Sequence, residues 1–285
     1  MNDNDPQFTS PKGLTLVLGA TGKTGRRVAS RLQALDHPIR LGSRSAAIAF
    51  DWTQESSWDA CLEDVTSVYI NYPSDLPIPG SNDTIAAFVD AAKRNGVLRL
   101  VLLCGRGETD AHSWEDIVQS SGLDWTIIRA SWFCQNFSEG AFAEMVQASC
   151  ITLPAGNIPE PFIDIDDIAD VAVAALTAPN HGGKIYEVSG PRLLTFAAAA
   201  AELSQAMGRT IEYQQIPHET FLAAVAESGS PQHVVWLMDH LFGTVLDGRN
   251  AHVTDGVQRA LGRPPRDFSD FAREISNPLT WRNVA

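Results

Sequence analysis

Cysteine is scarce in this sequence, because 285 residues contain only four, at positions 61, 104, 134 and 150. They are scattered, no two of them form a CxxC pair, and the seven histidines include no HExxH pattern. This distribution argues against a disulfide framework and against a zinc site. We therefore expect no metal cofactor and a reducing, cytoplasmic environment for the chain.

Positive charge is also in short supply, because 21 Lys and Arg residues stand against 34 Asp and Glu residues, a formal net charge of −13. Proteins that bind nucleic acid through its phosphates normally carry a basic face, so we expect no nucleic-acid partner. No apolar run reaches the length of a membrane span, and the first residues show no signal-peptide pattern. The sequence therefore predicts a globular protein without a membrane partner.

The segment from residue 14 to residue 44 carries the clearest pattern. A short apolar run over residues 14–18 is typical of a buried parallel strand, and glycines follow at once. A helix with apolar spacing begins near Lys23 and runs to Leu35, and residues 39–41 form a second short strand. These elements predict the first βαβ unit of a dinucleotide-binding sheet, with the loop residues Gly19, Thr21, Gly22, Lys23, Thr24 and Gly25.

The composition of this loop suits a phosphate. Glycine permits the tight turn and lets the backbone approach a pyrophosphate, while the N-terminus of the helix directs free N–H groups at it. A P-loop ends like Gly22-Lys23-Thr24, but it would need a glycine where Val17 stands inside the strand. The loop is therefore interpreted as a dinucleotide site and not as a P-loop.

The end of the second strand indicates which dinucleotide binds. An acidic residue there would bind the ribose hydroxyl of NAD and repel a 2′-phosphate. This chain has Ser43 and Arg44 instead. A guanidinium offers a planar fork of donors that matches a phosphate, so the predicted cofactor is NADP(H).

Strand and helix patterns alternate through the first half of the chain. Strands are predicted over residues 67–70, 99–103 and 125–128, and helices over residues 82–94 and 114–121. This repetition predicts an α/β fold, a doubly wound parallel Rossmann sheet with helices on both faces.

The second half is richer in helix. Helices are predicted over residues 164–176, 196–207, 219–226, 234–241, 253–261 and 268–275, with strands over 185–188 and 211–214. We expect a flexible leader over residues 1–12 and an NAD(P)-binding Rossmann domain over residues 13–150. Residues 151–285 are expected to add the remaining sheet elements and a smaller, mostly helical substrate-binding domain.

Several blocks along the chain resemble the NmrA-like atypical branch of the short-chain dehydrogenase/reductase superfamily. They are the glycine loop and helix start at 19–28, the strand LDWTIIR at 123–129, Trp132-Phe133 with Asn136-Phe137, PFIDIDDIADVA at 161–172, and GRPPRDF at 262–268. Within this branch, the chain looks closest to ergot-alkaloid iminium reductases and their bacterial relatives.

The resemblance implies a Rossmann domain with a small C-terminal substrate domain, and NADP(H), or sometimes NAD(H), at the carboxyl ends of the strands. Enzymes of this family reduce enones, quinones, aromatic alkaloid intermediates or iminium ions. Other members bind the nucleotide without turnover and act as redox sensors that contact a regulator. A homodimer or a regulatory protein partner is therefore also an expectation for this chain.

Candidate site residues follow from strand ends, which border the ligand crevice of such a sheet. Asn71, Tyr72 and Cys104 end the third and fourth strands and are expected beside the cofactor. The expected substrate pocket contains Tyr72, Trp132, Phe133, Asn136, Phe137 and, from the C-terminal part, Trp236. The aspartates at 164, 166, 167 and 170 are interpreted as helix-capping residues and not as a metal site.

The usual proton-donor pair of the wider superfamily, Tyr-x-x-x-Lys, is missing, because no tyrosine has a lysine four residues later. Two interpretations remain. An iminium substrate is already electrophilic, so hydride delivery needs placement and no proton donor. Alternatively, the protein only senses the nucleotide. The predicted function is NADPH-dependent reduction of a small or medium hydrophobic electrophile (an iminium, enone or quinone), with the NAD(P)-sensing regulator as the alternative and no catalytic residue assigned.

Overall fold

The computed structural model describes residues 13–73, 78, 80–108, 111–140 and 142–277. The predicted leader at residues 1–12 lies outside these ranges. The strands are β1 (Leu14–Leu18), β2 (Ile39–Gly42), β3 (Val65–Ile70), β4 (Arg99–Gly105), β5 (Asp124–Ala130), β6 (Cys150–Leu153), β7 (Lys184–Val188) and β8 (Glu212–Gln215).

The helices are α1 (Lys23–Ala34), α2 (Trp58–Leu62), α3 (Ser81–Arg94), α4 (Ala111–Gln119), α5 (Asn136–Glu139), α6 (Ala143–Gln147), α7 (Ile165–Thr177), α8 (Phe196–Met207), α9 (His218–Glu227), α10 (Gln232–His240), α11 (Gly256–Leu261) and α12 (Phe268–Ile275). A 3₁₀ turn at Glu55–Ser57 precedes α2, and a π-helical turn at Leu241–Val245 extends α10.

Six parallel strands form the main sheet in the order β2-β1-β3-β4-β5-β7. Val17 of β1 lies opposite Leu41 on one side and Tyr69 on the other, so the apolar run of β1 is buried in the centre. The chain turns from one side of the sheet to the other between β1 and β3. This switch point opens a crevice at the carboxyl ends of the strands. The predicted doubly wound Rossmann fold is confirmed.

Helices cover both faces of the sheet. On one face α1, α7 and α11 bury apolar residues such as Val28, Ile168 and Val257 against the strands. On the other face α2, α3 and α4 contribute large side chains that include Phe88 and Trp114. Strands β1 and β4 are buried on both faces of the sheet, so their sequences are continuously apolar over residues 16–18 and 100–104 and do not alternate.

A third apolar core lies beside the sheet and contains α8, α9 and α12. Strands β6 and β8 pair in parallel within this part of the chain, with Ile151 opposite Tyr213. Strand β6 was not predicted from the sequence, and it is defined by its pairing with β8. Residues after 150 supply this core as well as α7 and β7 of the main sheet, and the division of the chain at residue 150 stays a prediction.

One helix begins later than expected. The pattern predicts a helix over residues 253–261, but α11 begins only at Gly256. Two hydrogen bonds to the end of β7 hold Thr254 outside the helix. The N–H of Thr254 donates to Oγ of Ser189, which follows β7 (2.8 Å), and the Thr254 hydroxyl donates to Glu187 O within β7 (2.6 Å). Gly256 then lies against β7, where an added Cβ would come within 2.0 Å of Glu187 O. Tertiary contacts therefore set the start of this helix.

Candidate active site

The glycine loop joins β1 to α1 at the switch point. Gly19 has φ +64°, a conformation that favours glycine, and Gly25 lies so close that a Cβ would be 2.2 Å from Gly19 O. Helix α1 follows with Gly22 at its N-cap, no side-chain cap and no acidic residue in its first turn. Its positive end is therefore available to an anion.

A groove of about 330 Å³ surrounds this loop, and we call it the glycine-loop groove. Nine of the predicted cofactor residues line it: Gly19, Thr21, Gly22, Lys23, Thr24, Ser43, Arg44, Asn71 and Tyr72. Gly25 is buried beneath the loop, where it allows α1 to approach β1. The loop after β2 therefore brings Arg44 into the same groove as the start of α1, as the sequence predicted.

An aromatic wall completes the groove. Phe50, Trp52 and Tyr72 line it, with ring centroids 5.0 Å apart for Phe50 and Trp52 and 4.9 Å apart for Trp52 and Tyr72. Sequence reasoning missed Phe50 and Trp52, because they lie in an irregular loop without a motif. Flat ring faces, an exposed guanidinium and a helix N-terminus together fit a ligand that carries both aromatic rings and phosphates.

Two residues that end β3 face this groove. Asn71 donates from Nδ2 to Thr24 Oγ1 (2.6 Å), which ties the end of β3 to the start of α1. The ring of Tyr72 lies between Trp52 and Trp114, and burial raises the pKa of its hydroxyl. Tyr72 was also expected in the substrate pocket, but the structure places it only in the glycine-loop groove.

A second site, which we call the apolar cavity, opens beyond the ends of β4 and β5 and has a volume of about 300 Å³. Three predicted substrate residues, Trp132, Phe133 and Asn136, line it. Helix α10 and the π-helical turn cover the cavity with the apolar side chains of Leu237, Met238, Leu241 and Val245. The remaining lining residues are Lys23, Gly105, Arg106, Glu108, Ala130, Ser131 and Phe142. Its size and aromatic lining suit a small or medium hydrophobic molecule.

Two expected substrate residues do not line the cavity. Phe137 is fully buried in the third core, where its ring packs on Phe142 and Phe268. Trp236 stacks on His240 at 5.2 Å, while the next two residues of α10 face the cavity. Helical geometry explains this difference, because consecutive side chains point in different directions around a helix.

Cys104 lines neither site. Its side chain is fully buried, and its thiol donates to Glu115 Oε1 (3.4 Å) and to Ile128 O (3.7 Å). Successive residues of a strand face opposite sides of a sheet, and the following residue, Gly105, is the one at the cavity. Cys104 therefore packs in the core, and the expectation that it binds cofactor is wrong.

Lys23 connects the two sites. Among the described residues, it alone lines both the glycine-loop groove and the apolar cavity. Its Nζ donates to Asn136 Oδ1 (2.7 Å) and lies 5.6 Å from the centre of the Phe133 ring. A molecule bound in the groove and a molecule bound in the cavity would therefore meet beside this ammonium group.

Arg106 follows β4 directly and is held firmly at the cavity, with only 2% of its side chain exposed. It donates to Ser131 Oγ (3.3 Å), to Asn250 O (3.2 Å) and to His252 Nε2 (2.6 Å). Glu187 lies 3.5 Å away, and burial lowers the pKa of the guanidinium. Sequence reasoning missed Arg106, because a charged residue at a strand end carries no pattern that reveals its burial.

Glu108 was missed for the same reason. It lines the cavity, only 2% of its side chain is exposed, and His240 Nε2 donates to its Oε2 at 2.8 Å. His240 ends α10, so this bond holds the covering helix to the segment that follows β4. The acidic and basic residues of the cavity are therefore fixed by partners on both of its sides.

Other polar residues that the sequence singled out are structural. Asp164 caps α7 by accepting from the N–H of Asp166 (2.8 Å), so the capping interpretation is confirmed for this residue. Asp167 instead binds Arg266 at 2.7 Å, and Asp166 and Asp170 each bind Arg31 at 2.7 Å. Burial raises the pKa of the Cys134 thiol, which is the opposite of an activated cysteine. Within the described ranges, no group of His, Cys, Asp or Glu side chains is arranged to hold a metal ion.

None of the helices that the structure describes combines the length and the apolar character needed to cross a bilayer.

Comparisons with known proteins agree with this geometry. A family model described as NAD(P)H-binding matches residues 19–179, and the model of the NmrA-like family matches residues 110–262. The chain is 32% identical over 281 residues to an NAD(P)H azoreductase of Xenophilus azovorans, covering 91% of this chain and 97% of the relative. It is 30% identical over 291 residues to agroclavine dehydrogenase of Claviceps fusiformis, covering 94% and 99%.

A solved structure shares the fold. The NADPH-dependent quinone oxidoreductase of Escherichia coli, complexed with NADPH, matches with a TM-score of 0.74 at 20% identity, over 93% of this chain and 100% of that chain. The resemblance inferred from the sequence blocks is therefore confirmed by the family models and by the relatives, and the solved structure shows the same fold. The chain belongs to the NmrA-like family of NAD(P)H-binding proteins.

Proposed function

We propose that the protein is an NADPH-dependent reductase that delivers hydride to a small or medium hydrophobic electrophile. The observation that carries this proposal is the meeting of the glycine-loop groove and the apolar cavity at Lys23. A reductase needs two adjoining sites, one for the nucleotide and one for the acceptor. An iminium ion, an enone and a quinone are the candidate acceptors.

The groove residues fit NADPH. The N–H groups at the start of α1 and the loop glycines would hold the pyrophosphate, and Arg44 with Ser43 would hold the 2′-phosphate. Asn71 and Tyr72 border the same groove at the end of β3. When bound, the reduced nucleotide supplies a hydride from its nicotinamide.

The cavity residues would place the acceptor. Trp132, Phe133 and Phe142 offer flat apolar surfaces to a planar molecule, and Trp132 is held against Phe142 and Phe242 at 6.2 and 5.3 Å. Leu237 and Met238 of α10 cover the cavity with apolar side chains. Correct placement lowers the barrier, because the two reactants then need no further ordering in the transition state.

Two relatives support an oxidoreductase reaction for this chain. They are named as an NAD(P)H azoreductase and an agroclavine dehydrogenase, and this chain covers nearly the whole length of both. We infer the same reaction class for this chain.

The test is the loss of NADPH absorbance with a panel of cyclic iminium ions, enones, quinones, azo dyes and aldehydes, with NADH in parallel. We expect turnover with at least one class and a preference for NADPH. The control variant is Met238→Trp, which places a larger side chain in the cavity and leaves the groove unchanged. It should bind NADPH normally and show a KM raised at least tenfold. Normal turnover in this variant would show that the cavity is not the acceptor site.

The second candidate is a nucleotide-sensing regulator that catalyses nothing. The missing Tyr-x-x-x-Lys pair favours it, since the chain has a complete nucleotide groove without the usual proton donors. A sensor should bind oxidised and reduced nucleotide with clearly different affinity and should form a complex with a regulatory protein. Tight NADPH binding without turnover on any acceptor class would support this candidate over the reductase.

A further inference from the structure

A serine directly follows β5 at the wall of the apolar cavity. Ser131 lines the cavity, only 3% of its surface is exposed, and its N–H donates to Val188 O (3.1 Å). This backbone bond continues the pairing of β5 with β7, so the main sheet sets the position of Ser131. A side chain on such a rigid element keeps its geometry whether or not a ligand is bound.

Arg106 orients the hydroxyl of Ser131. Its Nη1 donates to Ser131 Oγ (3.3 Å), and the other two nitrogens of the guanidinium contact His252 (2.6 Å) and Glu187 (3.5 Å). A guanidinium carries only donors, so the serine oxygen must be the acceptor of this bond. The hydroxyl hydrogen therefore points away from Arg106. None of the residues that the structure describes accepts that hydrogen.

A second serine in the same place on the neighbouring strand shows the contrast. Ser189 directly follows β7, as Ser131 follows β5, and the two strands are neighbours in the sheet. The fully buried Ser189 Oγ accepts from the N–H of Thr254 (2.8 Å) and donates to Gly190 O (3.0 Å). Its hydrogen is thus bonded inside the protein. A buried donor without such a partner costs stability, so the Ser131 hydroxyl indicates a role toward a molecule in the cavity.

The other neutral side-chain donors of the described cavity lining belong to Trp132 and Asn136. Both residues are partly exposed, so water can bond to their N–H groups. Asn136 Oδ1 also accepts from Lys23 (2.7 Å), which directs this amide toward the start of α1. Ser131 is nearly inaccessible to solvent and has a single hydrogen to give. It is therefore the donor whose surroundings leave a bound molecule as its partner.

We propose that Ser131 donates a hydrogen bond to the reacting heteroatom of the acceptor. The acceptor is then a neutral unsaturated compound whose heteroatom carries a lone pair, and its simplest form is a conjugated carbonyl compound, an enone or a quinone. This inference rests on the proposed reductase function. A carbonyl oxygen accepts from the hydroxyl, whereas the nitrogen of an iminium ion has no lone pair to offer. The rings of Trp132 and Phe133 in the same lining would contact the planar remainder of the molecule.

The step balances for an enone. Hydride arrives at the β-carbon and forms a C–H bond, and the electron pair of the C=C bond shifts so that the carbonyl oxygen gains negative charge. Ser131 keeps its proton, and its hydrogen bond to that oxygen strengthens as the charge develops. The enolate then takes a proton from water, which leaves hydroxide, and becomes the saturated ketone.

The test measures this hydrogen bond directly, by infrared difference spectroscopy of acetophenone with an isotope label at its carbonyl carbon, added to the chain without nucleotide. A hydrogen bond lowers the carbonyl stretching wavenumber, so the band in the wild type should lie below the band in Ser131→Ala. Ser131→Thr keeps a hydroxyl and should retain the low band. The matched control is Ser189→Ala, which removes a buried hydroxyl outside the cavity lining and should leave the band unchanged.

Turnover gives the second readout. Ser131→Ala should lower kcat/KM for an enone or a quinone by about a hundredfold, the usual effect of losing one preorganised donor, and should bind NADPH normally. The proposal is overturned if the wild type and Ser131→Ala show the same carbonyl band, if Ser131→Ala reduces the enone as fast as the wild type, or if a cyclic iminium ion is the preferred acceptor. Failure of the reductase function would appear separately, as no NADPH loss with any acceptor, while the carbonyl band still reports the bond from Ser131.

Discussion

Replacing Glu160 by glutamine should change how the stability of the protein depends on pH. Glu160 has no exposed surface, and neither of its carboxylate oxygens has a hydrogen-bond partner among the described residues. Its backbone is fixed by a pair of hydrogen bonds with Leu194, at 2.9 and 3.0 Å. Burial raises the pKa of this carboxyl to about 7, although the positive charge of Arg106 acts in the opposite direction.

The sign and size follow from this pKa. The folded state holds the proton more tightly than the unfolded chain, so the contribution to stability is fully present below the unfolded pKa of 4.5 and is lost as the pH rises through 7. A difference of about 2.5 pH units at about 1.4 kcal/mol each corresponds to about 3 to 4 kcal/mol. Most of this loss, about 2 to 3 kcal/mol, falls between about pH 5 and about pH 8. Glutamine cannot ionise and avoids the loss.

Urea denaturation of the wild-type chain and of Glu160→Gln, measured from mildly acidic to mildly basic pH, tests this reasoning. The variant should gain stability relative to the wild type as the pH rises, by about 2 to 3 kcal/mol across the range. The matched control is Glu227→Gln, which alters an exposed glutamate at the end of α9 and should leave the pH profile unchanged. Parallel profiles for the wild type and Glu160→Gln would refute the reasoning.

Two further changes probe the site. Arg44→Ala should weaken the binding of NADPH about tenfold and the binding of NADH little, because only NADPH carries the phosphate that the guanidinium binds. The factor corresponds to the loss of one exposed charged hydrogen bond, about 1.5 kcal/mol. Binding titrations with both nucleotides check this, and equal losses of affinity for NADPH and NADH would contradict the NADP assignment. Glu108→Ala should free α10 from the segment after β4 by removing the bond to His240. Faster hydrogen exchange of α10 amides and a higher KM are expected, and unchanged exchange would show that the bond does not hold the helix.

The sheet could be predicted because its signals are local and continuous. The apolar run of β1, the glycines and the amphipathic spacing of α1 each indicate one element, and their order permits few topologies. Strand β6 and the start of α11 could not be predicted in the same way. The first is a short strand that exists through its pairing with β8, and the second is set by the contacts of Thr254 and Gly256 with the β7 end.

The groove residues were predictable for a similar reason, since Gly19, Lys23 and Arg44 lie at fixed places relative to a strand and a helix. The cavity was only partly predictable. Its aromatic residues follow β5 directly, but which of them faces inward depends on local turns, and Phe137 and Trp236 face elsewhere. Arg106 and Glu108 are charged residues in a connection, and only the tertiary structure shows that they are buried.

Direct transfer of hydrogen from nucleotide to acceptor is the central claim of this account. The most direct measurement uses NADPH in which both hydrogens on the reducing carbon of the nicotinamide are deuterium, incubated with the chain and a cyclic enone, followed by mass spectrometry of the product. We predict one deuterium on carbon of the saturated ketone for each NADPH consumed, because the hydride passes directly to the β-carbon and the C–D bond formed there does not exchange with water. NADPH bound tightly but not consumed, or deuterium found in the solvent and not in the ketone, would contradict the account.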